Sequence, residues 1–433
     1  MDPLGIALIG CGTVGSGVAR LLLEQPERLA ERAGRRLALR RVIVRNPDKP
    51  RLFAVPRELI STDLGSVLTD PTIQVAVEVV GGVEWARQAV QELLKAGKDV
   101  VTANKALLAL HGSEVFDAAR RHQRVIAFEA SVAGGIPIVA ALAQSLAANQ
   151  IISLQGILNG TCNFILTSMD EQGKSYEDAL AEAQRLGYAE ADPQLDVDGT
   201  DAAHKLAILS QLAFGVTAPM GVIDHRGIME VQQVDLRYAR ELGYTIKLLA
   251  EAWLHETQLA LHVSPVLQRH QTPLAQVRGP YNAIYVVGDA VGDTLFYGQG
   301  AGQMPTASAV IADLIDIAVG RSQKTFQTLK LWSGNGPEIS LQSSDTVRSR
   351  FYLRALVQDT PGVLAEIARE LAQHHISISS VIQHEAFDGQ EGATVPLVIM
   401  THTALTARFR AAVAEIDRLE CVAAPSVYYP VAD

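Results

Sequence analysis

The sequence predicts an α/β chain in three parts: a doubly wound parallel sheet over residues 1–130, an α+β region over residues 131–302, and a ferredoxin-like module over residues 351–433. Short apolar runs alternate with helical periodicity through the first part, the pattern of a parallel sheet covered on both faces. A glycine-rich turn follows directly on the first run. The last part reads β-α-β-β-α-β. At 433 residues the chain exceeds one compact domain, since domains run to about 100–200 residues. Hydrophobic residues make up 48% and aromatic ones 5%, so the cores are aliphatic and the chain is not disordered.

Leu4–Ile9 is an apolar run, hence a buried strand. A helical segment, Gly15–Ala33, carries Leu21, Leu22 and Leu29. Leu37–Val44 and Val75–Val80 read as further strands, the latter closed by Gly81-Gly82. A helix with Ala86, Val90, Leu93 and Leu94 stops at Gly97, a residue suited to the left-handed turn that ends helices. Asp99–Thr102, a helix around Ala106–His122 and Val125–Phe128 complete the set.

The second part opens with a helix, Ile136–Ala148, and a strand, Ile151–Leu158. Two helices, Glu177–Leu186 and Asp201–Phe214, flank a glycine- and aspartate-rich loop, and β segments follow at Gln258–Pro265 and Tyr281–Gly288. A helix at Thr306–Val319, within residues 303–330, is expected to return to the first domain. Residues 334–350 are rich in Gly, Ser and Gln and read as a linker. The module beyond it is then expected to be removable without loss of catalysis. Its elements are Phe351–Gln358, Gly362–His374, Ile376–His384, Thr394–His402, Thr406–Leu419 and Val422–Tyr429.

Charge and cysteine usage narrow the function classes. Thirty-seven basic against 47 acidic residues leave −10, which argues against a bulk nucleic-acid binder. Three cysteines make no disulfide framework. The chain opens Met1-Asp2-Pro3 without a basic and apolar leader. Its richest apolar stretch, Ile136 to Ala148, is interrupted by Pro137, Gln144 and Ser145 and is too short to span a bilayer. The expectation is a cytoplasmic protein with neither a membrane nor a nucleic acid as partner.

Gly10-Cys11-Gly12-Thr13-Val14-Gly15 fits G-x-G-x-x-G, placed between the first strand and a helix. In that context Gly10 allows the tight turn, Gly12 lets a pyrophosphate approach the backbone, and Gly15 lets helix and sheet pack closely. The helix N-terminus then meets the phosphate charge. The first domain therefore reads as Rossmann-like. At the end of the second strand stands Val44-Arg45-Asn46, where an NAD-specific site places an acid. Arg45 suits the 2′-phosphate of NADP, although a solvated loop arginine would read the same way.

Thr161-Cys162-Asn163 follows Asn159-Gly160. Cys162 could be an acylating nucleophile, but with no histidine nearby in sequence, His204 included, it reads better as a small packing residue. Between Gly187 and Lys205 lie Glu190, Asp192, Asp196, Asp198 and Asp201. Asp198 and Asp201 suit a helix start. Asp201 and Lys205 are one helical step apart, and with Ile208 and Leu212 fall within about 60° on one face. The pair thus continues an apolar stripe, where ionic groups are costly unless paired or functional. Lysine suits chemistry at an alcohol or carbonyl oxygen, and Glu190 suits an ammonium group. Thr102-Ala103-Asn104-Lys105 follows a parallel strand, so Lys105 either faces the ligand crevice or starts a helix in water.

These motifs, with Glu129-Ala130-Ser131-Val132-Ala133-Gly134-Gly135-Ile136-Pro137 and Gly300-Ala301-Gly302, resemble homoserine dehydrogenase over residues 1–330. The resemblance implies NAD(P)-dependent interconversion of L-homoserine and L-aspartate 4-semialdehyde in threonine, methionine and isoleucine biosynthesis. By it, Lys205 donates the proton, Asp201 orients it, and Lys105 sits beside nicotinamide and substrate. Glu190 and Asp196 bind the amino acid. Gly10, Gly12, Thr13, Val14, Gly15, Arg45, Lys105 and Gly302 meet the cofactor. Backbone carbonyls of Glu129, Val132, Gly134 and Ile136 hold a sodium ion, and residues 131–302 form a dimerisation as well as a substrate domain. Residues 351–433 resemble an ACT domain through Asp359-Thr360-Pro361-Gly362-Val363-Leu364. That implies an amino-acid effector, threonine, at Asp359 and Gly362, and a homodimer or homotetramer. An acylating aldehyde dehydrogenase working through Cys162 and a non-catalytic NADP sensor are the competing readings.

Overall fold

A computed structural model describes residues 2–333, 338–384 and 394–432. The chain divides into two compact units. One comprises Met1–Leu154, His204–Gly221 and Tyr281–Ile339; the other comprises Gln155–Ala203, Val222–Pro280 and Ser340–Asp433.

The first unit holds a parallel sheet of six strands: β1 (Leu4–Ile9), β2 (Leu37–Ile43), β3 (Ile60–Ser61), β4 (Val75–Glu78), β5 (Asp99–Thr102) and β6 (Ile126–Ala127). Its order is β3-β2-β1-β4-β5-β6. The order reverses between β1 and β4, which is where ligands bind in doubly wound sheets. β1 is buried along its whole length, as a strand covered on both faces must be. The helical segment expected at residues 15–33 is two helices, Thr13–Glu24 and Pro26–Ala33. Pro26 lacks the N–H that a continuing helix needs, so it starts a new one.

A helix at Gln303–Ala318 packs on Thr13–Glu24. A Cβ on Gly17 would lie 2.8 Å from the Gln303 carbonyl oxygen, so only glycine permits this approach. The helix expected at Ile136–Ala148 keeps just one short α-helical stretch, Ile138–Ala140. Its continuation is wider, with the Leu146 N–H reaching the Ala141 carbonyl over five residues at 2.8 Å. The hairpin Tyr281–Gly288 with Gly292–Gln299 also belongs to this unit.

The second unit is built on the antiparallel pair Tyr244–His255 and Gln258–Arg269. The strand Val422–Ala432 joins it in parallel through Leu267↔Val431. Beyond it lie Arg348–Gln358, Thr394–Thr401 and Ile378–Gln383, each antiparallel to its neighbour. Helices Val363–Gln373 and Thr406–Ile416 cover this ferredoxin-like sheet, and Phe351 stacks on Phe409 at 3.9 Å.

The expected linker at 334–350 differs from what is seen. Residues 334–337 lie outside the described residues. Ser340–Gln342 is a strand paired with Gln258–Ala260, and Arg348 already begins the next strand. The polar composition marked a surface strand rather than a free tether, because an edge strand needs few apolar side chains. Among the described residues no helix is long and apolar enough to cross a membrane.

Candidate active site

In the first unit, the loop after β1 opens at the C-terminal edge of the sheet. Gly10 has φ +100°, and a Cβ there would lie 2.8 Å from the Val79 carbonyl oxygen. A Cβ on Gly15 would stand 2.2 Å from the Gly10 carbonyl oxygen. Gly12 differs: nothing lies within 4 Å of its added Cβ. Gly10 and Gly15 therefore serve packing, while Gly12 leaves space above the helix N-terminus. Thr13 is exposed and Val14 half-buried in that first turn, which carries no acidic residue. Its amides are suited to an anion.

Arg45 is exposed just beyond β2. A second arginine was not singled out from sequence. Arg51 donates to the carbonyls of Asn46, Pro47 and Lys49 at 2.8–3.0 Å, folding the loop back. Its charge acts on Cys11 of the glycine loop, where burial pushes the thiol up and Ser16 and Arg51 act against that rise.

Lys105 begins the helix Lys105–Arg121 after β5 and is half-buried. Its neighbour Asn104 accepts the Leu107 N–H at 3.1 Å and donates to the Gly82 carbonyl at 2.7 Å. The Asn104 N–H in turn donates to Thr102 Oγ1, and Thr102 donates to Glu78 Oε2 at 2.7 Å. Glu78 is fully buried, and burial pushes its carboxyl up. This chain of bonds fixes the start of the Lys105 helix at the ends of β4 and β5.

Gly302 has φ +130° and precedes the helix Gln303–Ala318. The segment holding Glu129, Val132, Gly134 and Ile136 is a buried loop. Ala133 takes φ +46°, the Ile136 N–H closes on the Ala133 carbonyl, and the Gly134 N–H donates to the Gly300 carbonyl at 2.9 Å. The Glu129 side chain accepts the Val139 and Ala140 N–H groups at 3.0 and 2.8 Å. Burial pushes this carboxyl up to about 7. Backbone carbonyls are hard oxygen donors of the type an alkali cation takes, and of the four singled out that of Ile136 accepts the Ile138 N–H at 2.8 Å.

In the second unit, the strand ending at Ile157 leads into the helix Gly160–Gln172, capped by Asn159. The Asn159 side chain accepts the Cys162 N–H at 2.8 Å. Its Nδ2 donates to Asp196 Oδ1 at 2.8 Å and to Asp201 Oδ2 at 2.9 Å. The loop between the two helices is thus drawn onto the Asn159 turn. Thr161 Oγ1 donates to the Tyr188 carbonyl at 2.7 Å, and Cys162 Sγ to the Asp196 carbonyl at 3.2 Å. Cys162 is fully buried with its S–H engaged, which is the arrangement of a packing residue. Glu190 is exposed and Asp196 half-buried. Asp198 Oδ1 accepts the Thr200 N–H at the helix start.

Asp201 and Lys205 stand one turn apart on the helix Thr200–Phe214, 5% and 8% exposed. The single apolar stripe expected there is corrected. Residues 201–211 are buried without a break, and Leu212 is only half-buried. The helix is enclosed on nearly every side, so burial marks Lys205 without a preferred face. In the C-terminal module Gly362 has φ +102° and heads the helix Val363–Gln373, with nothing within 4 Å of an added Cβ. Asp359 Oδ1 accepts from Gln383 Nε2 at 3.1 Å.

Comparison with known proteins adds to this geometry. Residues 10–129 match the model for the NAD binding domain of homoserine dehydrogenase, residues 137–315 that for homoserine dehydrogenase, and residues 351–421 that for the ACT domain. A homoserine dehydrogenase of Pseudomonas aeruginosa is 42% identical over 431 residues, covering 99% of this chain and 98% of its own. The structure of a homoserine dehydrogenase from Thiobacillus denitrificans aligns with TM-score 0.93 at 42% identity, over 100% of this chain and 99% of that one. A hyperthermophilic archaeal homoserine dehydrogenase mutant in complex with NADPH aligns with TM-score 0.62 at 26% identity, over 74% of this chain and 98% of that one.

Proposed function

The chain belongs to the homoserine dehydrogenase family and is an oxidoreductase, and on that premise we propose that it interconverts L-homoserine and L-aspartate 4-semialdehyde with NADP in preference to NAD. The observation that carries the mechanism is the buried lysine, Lys205, one helical turn from a carboxylate held in place by Asn159.

The open space above Gly12 and its uncapped helix N-terminus fit a dinucleotide pyrophosphate. Gly10 and Gly15 keep the loop tight, Thr13 and Val14 would border the phosphates, and Gly302 would line the approach. The nicotinamide, when bound, supplies or accepts the hydride. Lys205 gives its proton to the aldehyde oxygen during reduction and takes it back during oxidation. Asp201, one helical turn away, orients that lysine. Lys105 would border nicotinamide and substrate, and Glu190 and Asp196 would hold the ammonium or hydroxyl of the amino acid. Arg45 and Arg51 favour a 2′-phosphate, and the archaeal relative's mutant was solved in complex with NADPH.

The carbonyls of Glu129, Val132, Gly134 and Ile136 would hold sodium as a structural ion; no chemical step is assigned to it. Threonine would bind at Gly362 and Asp359 between paired ACT modules, in a dimer or tetramer. An uncovered helix start at Gly362 suits a ligand carboxylate.

One assay tests these points: absorbance of the reduced nucleotide with homoserine and NAD or NADP, with and without threonine. Lys205→Ala should lose about 10²–10⁴-fold in turnover while still binding nucleotide. Near-normal turnover in that variant sinks the assignment. Unchanged rates with threonine sink the regulatory part alone.

A further inference from the structure

We infer that Asn159 is a positioning residue for the reaction, a donor shared by the two carboxylates of the substrate loop and helix that holds them in register. Asp196 and Asp201 belong to different short elements, Gln194–Val197 and Thr200–Phe214. Like charges this near one another would separate if nothing stood between them. Asn159 Nδ2 stands there, 2.8 Å from Asp196 Oδ1 and 2.9 Å from Asp201 Oδ2.

An amide nitrogen carries two hydrogens, one for each acid. A hydroxyl has one and an ionised carboxylate none, so of the side chains that cap helices well only asparagine serves both acids. The same side chain accepts the Cys162 N–H at 2.8 Å through Oδ1, which fixes the amide's orientation. At 4% exposure, water does not compete for either bond. The helix cap and the carboxylate clamp are therefore two halves of one amide. Fixing Asp201 also fixes the first turn of the helix that carries Lys205. This inference rests on the reading of Asp196 and Asp201 as site residues.

The two halves are separable by mutation. Asn159→Asp keeps an oxygen for the Cys162 N–H, and aspartate caps helices as well as asparagine does, but it removes the donor. The test is homoserine oxidation by the full-length chain across pH, alongside thermal melting and NADPH affinity by nucleotide fluorescence. Expected is a loss of about 100-fold in kcat/KM for homoserine, the size of effect that follows misplacement by about 1 Å. NADPH affinity should stay within about twofold, since the glycine loop is untouched. The residual rate, relative to the native enzyme, should rise as pH falls, because a third acid in the cluster has a raised pKa and regains an O–H donor when protonated.

Native kcat/KM in Asn159→Asp, or a loss that runs parallel to the native pH profile and tracks melting, overturns the inference and leaves Asn159 a helix cap. Asp201→Asn separates the underlying reading. Full activity there removes the carboxylate assignment itself, whereas loss there with native activity in Asn159→Asp removes only the present inference.

Discussion

Arg354 and Asp235 form a fork sealed from solvent, with Nε donating to Oδ1 at 2.6 Å and a terminal guanidinium nitrogen to Oδ2 at 3.1 Å. Tyr352 donates to the same carboxylate at 3.0 Å. Asp235 lies on the helix Gln233–Glu241, while Arg354 and Tyr352 lie on the first strand of the ACT-like sheet. Arg226, close to Asp235 in sequence, donates to the Tyr428 carbonyl of the last strand. The C-terminal module is thus bonded into its unit, which argues against a dispensable appendage. Removing Arg354 leaves a buried carboxylate short of its countercharge, a loss of about 3–5 kcal/mol. Arg354→Met should lower the melting temperature sharply, and deletion of residues 345–433 should do so further. A truncated chain that melts like the native one would show that the fork adds nothing.

The glycine loop yields a contrast between two neighbouring positions. Gly12→Ala meets no atom, whereas Gly15→Ala places a Cβ 2.2 Å from the Gly10 carbonyl oxygen. The first variant should melt like the native protein yet bind nucleotide about tenfold more weakly, since its methyl occupies the pyrophosphate's approach. The second should lose stability as well as affinity. Calorimetry and fluorescence titration of NADPH separate the outcomes. Native affinity in Gly12→Ala would mean that no ligand approaches that backbone.

The glycine loop and its flanking strand were legible because a ligand-approach motif is local in sequence. The strand Tyr244–His255 was not. Lys247 and Glu251 interrupt its apolar pattern, yet both are buried, because Asn163 takes the lysine and His262 with Gln155 take the glutamate. Asn163 and Gln155 stand 84 and 96 residues away from the side chains they meet. The same holds for Asn159, whose sequence position announced a turn and helix cap. Its hold on Asp196 and Asp201 spans 37 and 42 residues and arises from tertiary packing. Arg51 was not legible for a similar reason: its place is set by bonds to the carbonyls of Asn46, Pro47 and Lys49, which fold its loop back.

On the proposed preference for NADP, two arginines would discriminate between the nucleotides. Arg45 follows β2 in the open, and the Arg51 charge acts on Cys11 of the glycine loop. A charge-assisted bond to a phosphate contributes about 1.5–3 kcal/mol. Arg45→Ala and Arg51→Ala should each raise KM for NADP about tenfold or more and leave KM for NAD nearly unchanged. Equal effects on both nucleotides would assign these residues to the loop's fold instead.

Lys247 supplies a pH-dependent contribution to stability. It is 1% exposed, and its ammonium donates to Asn163 Oδ1 at 3.0 Å and the Val277 carbonyl at 2.5 Å. Burial foremost, then the Arg278 charge, pull its pKa from 10.5 down to about 7. Between those two values the unfolded chain holds a proton that the folded chain has shed. Stability therefore rises as pH increases through that window. Below about 7 both states are protonated, and the cost of burying the charge is carried in full. Lys247→Met keeps much of the side chain's bulk and removes the titration. Denaturant unfolding of both proteins from pH 7 to 10 isolates the contribution, because other titrating groups are common to the pair. The native chain should gain stability relative to Lys247→Met as pH rises. Parallel curves would mean that the lysine keeps its proton inside the fold, held by the Asn163 and Val277 oxygens.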